Sequence, residues 1–191
     1  TLGISDYKRI LSLDSALAVV QFKKDNVAYQ RSYFISYPAN VMVMRISADR
    51  AGMQNLFFSY APNSISQGSL SGDGDKGLVF SASLNNNGMK YVVRIQAETK
   101  GGTLSNTGCR LTVKGADEVV FYVTADTDYK MNFNPDFKDP KTYVGFDPAE
   151  TTCQWINNAV MQGYTALFQQ HYSDYAALFN RVRLNLNPTV K

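Results

Sequence analysis

Hydrolysis of a sugar linkage needs two carboxyl groups facing one bond, so the acidic residues are the first candidates for chemistry. The chain has 13 Asp but only three Glu, at Glu98, Glu118 and Glu150. Five of the Asp lie from Asp126 to Asp147, and Asp126 and Asp128 form a close pair. Such a pair suits acid and base catalysis or a weak calcium loop. Asp and Asn also recur in loops because they bond their own backbone and hold turns. No EF-hand spacing is present, so the turn role is the better reading.

His171 is the only histidine, which excludes a metal site built on two histidines and a serine triad that needs another. A single histidine can act as a general base. His171 falls on an apolar helical ridge, however, where a hydrogen-bonded packing role is commoner. Cys109 and Cys153 lack the flanking pattern of a nucleophile and fit neither a disulfide scaffold nor a metal site. Their separation neither forbids nor demands a bond. The glycine-rich stretch from Gly68 to Gly77 is no phosphate loop, since Lys76-Gly77 is not followed by Ser or Thr.

The aromatic residues are more suggestive. Tyr129, Phe133, Phe137, Tyr143 and Phe146 all fall in one segment, 126–147, that is dense in Asp, Asn and Pro. Rings there could stack on the apolar face of a sugar, which makes Tyr129, Phe133, Tyr143 and Phe146 the candidate substrate-binding residues. They could equally anchor a long loop or cover a neighbouring domain. No catalytic residue, metal ligand or cofactor is assigned.

The elements that must position these residues follow from periodicity. Ala16 to Lys23 and Val27 to Tyr37 read as strands joined by the turn Lys24-Asp25-Asn26, whose last two residues tolerate positive φ. Val41 to Ala48 follows the turn Pro38-Ala39-Asn40, and Leu56 to Tyr60 is a short strand. Asn63 to Gly77 has few apolar residues and reads as a long loop. Strands resume at Leu78 to Leu84 and Met89 to Glu98 around the hairpin signal Asn87-Gly88. Gly101-Gly102 and the segment Cys109 to Lys114 fit a further pair. Val119 to Ala125 is continuously apolar and suits a strand buried on both faces. Nine or so strands with frequent turns predict a mainly β, antiparallel sandwich.

Composition changes after Asp147. Asp147-Pro148-Ala149-Glu150 is a helix start, with Asp as N-cap, Pro at the first helical position and Glu placed for a capping box. Two ridges follow at spacing four: Trp155, Ala159, Gly163, Leu167 and His171, then Ile156, Val160, Tyr164, Phe168 and Tyr172. That spacing overshoots the helical turn by ~40° per step and would rotate a straight stripe off the core. A bend at Gly163 is therefore expected, with Trp155 in the core. Ser173 can cap a second short helix through Phe179, and Arg181 to Leu186 reads as a strand or extended linker.

Length and charge bound the rest. With 191 residues, the chain is one domain or one domain with an appendage. Its 45% apolar content excludes disorder. The net charge of +3 is scattered, without a basic run that could track phosphates, so nucleic acid is an unexpected partner. No apolar stretch is long enough to cross a bilayer, and Thr1 to Asp6 lacks a signal-peptide pattern.

Several segments taken in order resemble glycoside hydrolase family 95, the α-L-fucosidases. They are Tyr7-Lys8-Arg9 with Leu11-Ser12-Leu13-Asp14-Ser15-Ala16, then Arg31-Ser32-Tyr33-Phe34-Ile35-Ser36-Tyr37-Pro38, and Gly88-Met89 before a strand. Ala116-Asp117, Thr127-Asp128-Tyr129 and His171-Tyr172-Ser173-Asp174-Tyr175 leading into Leu178-Phe179-Asn180-Arg181-Val182 complete the set, which covers nearly the whole chain.

The resemblance implies a supersandwich-like domain at 1–147 and a helical linker at 148–191. Catalysis would belong to a following (α/α)6 barrel that inverts configuration with a glutamate acid and an assisted water. That barrel would be the partner, and a fucosylated oligosaccharide a further ligand. The family's opening segment is missing before Thr1, which would leave a sheet edge open to a second copy. A periplasmic or extracellular location is implied in the same way. The competing expectation is a stand-alone carbohydrate-binding or interaction module.

Overall fold

A computed structural model describes residues 3–61, 64–139, 141–182 and 184. Its strands are β1 (Ile4–Ser12), β2 (Leu17–Lys24), β3 (Val27–Ser36), β4 (Val41–Ala48), β5 (Gln54–Phe58), β6 (Ser66–Asp73), β7 (Gly77–Leu84), β8 (Lys90–Lys100), β9 (Thr103–Asn106), β10 (Leu111–Ala116) and β11 (Glu118–Thr127). One helix, α1 (Pro148–Phe179), follows. Eight strands form a large antiparallel sheet in the order β1-β2-β3-β4-β11-β8-β7-β6, and three form a small sheet, β5-β10-β9. The fold is an antiparallel β-sandwich with a C-terminal helix, as the turn spacing predicts.

The continuously apolar strand β11 sits between β4 and β8 in the middle of the large sheet. Successive side chains point to opposite faces of a strand, so β11 feeds two cores. Val119 and Phe121 pack with Ile46, Ile95, Leu111 and Val113 beneath the small sheet. Val120 and Tyr122 pack on the other face with Phe34, Val43 and the helix residues Ile156, Ala159 and Leu167. Each such apolar side chain contributes about 1.5–3 kcal/mol when fully buried. The order of layers is therefore small sheet, large sheet, helix.

Helix α1 starts as its sequence dictates. Asp147 caps it, its carboxylate accepting from the Ala149 N–H at 2.9 Å, with Pro148 in the first turn. Glu150 does not close a capping box but accepts from the Gln154 amide. Arg94 on β8, paired with Asp73 at 2.7 Å, donates to the Ala149 carbonyl, and the Thr124 hydroxyl of β11 donates to the Thr152 carbonyl. At Gly163 the backbone leaves the helical region, with φ 72° and ψ 170°, and divides α1 into two helical segments. That conformation belongs essentially to glycine.

The break lies over Tyr122, which is fully buried. Its hydroxyl donates to Glu98 at 2.7 Å, and the Tyr164 backbone just after the break lies near it. Arg45 lies 5.0 Å from the Tyr164 ring centroid and pairs with Glu118. The second segment crosses toward β3, where His171 stacks on Phe34 at 5.0 Å and its Nε2 lies 3.0 Å from the Ala16 carbonyl.

Several expectations are corrected. The stretch 63–77 is not one loop, because β6 occupies Ser66–Asp73 and pairs with β7 throughout. As an edge strand largely exposed on both faces it has no need of apolar alternation, so its pattern is silent. β1, absent from the strands that periodicity marks, is the opposite edge and almost wholly exposed. Its register against β2 shifts between Ser5 and Lys8. Ser173 starts no new helix, since α1 runs unbroken from Tyr164 through Phe179. Trp155 is half-buried rather than core. Both cysteines are free. Half of the segment expected at Arg181 to Leu186 lies outside the described residues.

Two predictions follow from the break. Gly163→Ala has open space for its methyl group but a strained backbone, so it should lower unfolding free energy by about 1–3 kcal/mol in urea titration. A more stable variant would mean that α1 straightens without loss. Tyr122→Phe removes a buried hydroxyl bonded to Glu98 and should cost about 1–3 kcal/mol in the same assay. Burial, then the bond to Glu98, push the Tyr122 phenol above its ordinary value of 10.0. The unfolded chain therefore releases this proton first as pH rises. Wild-type stability from this group is complete below pH 10 and falls above it, and the deficit of Tyr122→Phe should narrow there.

Candidate functional site

The connection from β11 to α1 is an irregular hairpin. Asp128 is buried, its carboxylate accepting from the Lys90 N–H at 3.0 Å and its carbonyl from the Gly145 N–H at 2.6 Å. Asp126 accepts from the Thr127 N–H at 2.8 Å. Both carboxylates thus hold turns. The Lys130 N–H donates to the Tyr143 carbonyl at 2.7 Å, and the Asn132 amide donates to the Thr142 hydroxyl at 2.9 Å, closing the hairpin beyond an isolated bridge between Tyr129 and Val144.

This frame sorts the four candidate rings. Tyr129 and Tyr143 stack on each other, with centroids 5.7 Å apart and planes 18° from parallel. Phe146 lies 83% exposed, with the Lys130 ammonium 6.0 Å from its ring centroid. Phe133 stands apart, 94% exposed, and Phe137 is 87% exposed. Fully solvated phenyl rings of this number on one hairpin are unusual, because each leaves apolar surface in water.

The register of the large sheet shows what accompanies them. Val123 of β11 lies opposite Met42 of β4, and Ser36 at the end of β3 lies opposite Val41. The β11 hairpin therefore leaves the same end of the sheet as the turns 13–16 and 37–40. Leu13, Ile35 and Tyr37 are exposed at that end, and Met131 and Val144 on the hairpin itself. Through His171 the second segment of α1 is pinned to the 13–16 turn, and exposed Leu178 and Phe179 follow within its last turns.

The opposite end closes with polar turns: Asp25-Asn26, Gly74-Asp75-Lys76, Gly101-Gly102 and Asp117. Asp117 there accepts from the Gly52 N–H at 2.8 Å. The hairpin end thus carries most of the large exposed rings, beside one polar turn, Asn85-Asn86-Asn87-Gly88, which adjoins the hairpin through Lys90. Tyr37, Ile35 and Leu13 were missed from sequence, although apolar residues beside a turn, where polar ones are usual, were a usable signal.

Two of the three glutamates have structural partners on the sheet. Glu98 and Glu118 lie on the helix-facing side of the large sheet, bonded to Tyr122 and Arg45. The Glu118 hydrogen bond, ahead of other effects, raises the Arg45 guanidinium above its ordinary value. No helix among the described residues is long and apolar enough to cross a membrane.

Comparisons with known proteins agree with this architecture. The family model described as "Glycosyl hydrolase family 65, N-terminal domain" matches residues 2–132, whereas the sequence resemblance pointed to family 95. "Probable alpha-fucosidase A" of Aspergillus niger is 31% identical over 193 residues, covering 96% of this chain and 24% of that protein. "Alpha-L-fucosidase 2" of Arabidopsis thaliana is 26% identical over 214 residues, with 96% and 24% covered. The chain thus spans about a quarter of the length of these curated relatives. A solved structure assigned as a kojibiose phosphorylase from the human microbiome aligns with a TM-score of 0.59 at 11% identity, over 92% of this chain and 25% of that one. That likeness is one of fold. By the family model and the sandwich it matches, the chain belongs to the glycosyl hydrolase family 65 N-terminal domain family.

Proposed function

We propose that this chain is the non-catalytic sandwich (1–147) and helical linker (148–191) of an α-L-fucosidase-like hydrolase of the family 95 type, acting on fucosylated glycans. Its apolar end seats an (α/α)6 catalytic barrel carried by the same polypeptide. The observation behind this reading is the contrast between the two ends of one sandwich, one closed by polar turns and the other bearing Phe133, Phe137, Phe146 and Tyr37 in solvent. Relatives named as fucosidases, about four times the length of this chain, support it. A periplasmic or extracellular location belongs to the same proposal.

A second reading is a stand-alone carbohydrate-binding module, favoured by the stacked Tyr129 and Tyr143, with Tyr129 about half exposed. It predicts binding of a fucosylated oligosaccharide by this chain alone, seen as NMR shifts at those rings and lost in Tyr143→Ala.

The docking proposal is tested with Phe133→Ser combined with Phe146→Ser. In the isolated chain both positions are solvated, so stability should change by no more than about 0.5 kcal/mol. In the parent polypeptide the same variant removes two rings that docking would bury, a loss of about 1.5–3 kcal/mol each. Calorimetry should then show the sandwich and barrel unfolding separately, with hydrolysis of a fucoside lost at lower temperature. Unchanged melting of the parent would overturn the proposal.

A further inference from the structure

The small sheet covers only part of the large one. Its edge strand β5 lies against β4, and the face of β1, β2 and β3 beyond it is open, forming a groove of about 770 Å³. Register identifies the side chains on that face. Arg9 of β1 lies opposite Val20 of β2, which lies opposite Arg31 of β3. Arg31 in turn lies opposite Ile46, whose side chain is in the core beneath the small sheet. Arg9, Val20 and Arg31 therefore line the same, uncovered side. Leu11, Ala18 and Tyr33 form the next row.

Two features of this groove point to a ligand. The first is an aromatic platform: Phe22 and Tyr29 stack at 5.2 Å and 11°, and the Arg31 guanidinium lies 5.4 Å from the Phe22 ring centroid. The second is uncompensated charge. Neither Arg9 nor Arg31 forms an ion pair among the described residues, although three other basic side chains do. The two guanidiniums flank β2, so their backbones are about 9–10 Å apart, two strand spacings.

We propose that this groove binds an acidic oligosaccharide, one carrying uronic acid units, with Arg9 and Arg31 each engaging a carboxylate and the rings of Phe22 and Tyr33 meeting the apolar faces of the sugars. A guanidinium matches a carboxylate by two parallel hydrogen bonds, which a neutral sugar cannot offer. Ring-to-sugar contact buries apolar surface on both sides. A second copy of the chain is a poorer occupant, since two-fold pairing of this face would bring the four guanidiniums together. The inference rests on the glycan-directed reading of the parent protein but uses residues remote from the apolar end.

The test is titration of the chain with tetragalacturonate by calorimetry, with its methyl ester as the neutral control and a short single-stranded DNA as a polyanion without uronic acids. Tetragalacturonate should bind at least tenfold more tightly than either control. Arg9→Gln and Arg31→Gln should each weaken it about tenfold, while Arg31→Lys retains part and Arg110→Gln, whose guanidinium covers Phe57 outside the groove, retains all. Equal binding of the ester or of DNA would overturn the proposal, as would wild-type affinity in the two Arg→Gln variants. Dimerisation abolished by Arg31→Gln would assign the face to a second copy instead. Because Phe133 and Phe146 play no part, failure here leaves the docking result standing, and the reverse also holds.

Discussion

Tyr122 is where the sheet and the helix are fastened together. It stands on the central strand β11, wholly buried: its ring packs against Ile156, Ala159 and Leu167 of α1, and its hydroxyl donates to Glu98 on β8. The helix breaks at Gly163 directly above this packing, and a new helical start leaves its first N–H groups without intrahelical acceptors. Arg45 closes the arrangement, lying against the Tyr164 ring while its charge is met by Glu118. The break is thus built into the sheet as much as into the helix.

This fastening has a consequence at a distance. Because α1 bends over Tyr122, its second segment reaches Phe34 and the 13–16 turn, and His171 is held there by stacking and by the Ala16 carbonyl. A straight helix of the same length would carry its last turns off the sheet. The bend instead sends them past the end from which the β11 hairpin also emerges. Exposed apolar side chains from the two β-turns, the hairpin and the last helical turns thus gather at one end of the sandwich, beside the polar turn Asn85-Asn86-Asn87-Gly88. Docking of a partner there is the proposal made above.

The sequence was most legible where local chemistry and tertiary structure agree. The apolar run at 119–125, the Asp147-Pro148 start and the positive-φ turn residues Asp25 and Asn26 each appear where their physics places them. The Gly163 bend was legible from the mismatch between a four-residue ridge and the helical turn. β1 and β6 were not, because an edge strand exposed on both faces owes its existence to neighbouring backbone hydrogen bonds, which leave no apolar period. The aromatic hairpin could be named but not sorted: only its cross-hairpin bonds decide that Tyr129 and Tyr143 stack while Phe133 stands free. The groove bearing Arg9 and Arg31 was invisible, since it depends on the register of three strands and on how far the small sheet extends.

The central claim is that this domain works as part of a larger hydrolase, with its apolar end covered. The most direct measurement is the size of the native polypeptide in its source cells, by immunoblot with an antibody raised against the purified chain. The account predicts a single band far larger than the 21.3 kDa of this sequence, near four times its length by comparison with the relatives. A band at 21.3 kDa, with no larger species, would contradict it and leave the exposed rings to face a ligand or another protein.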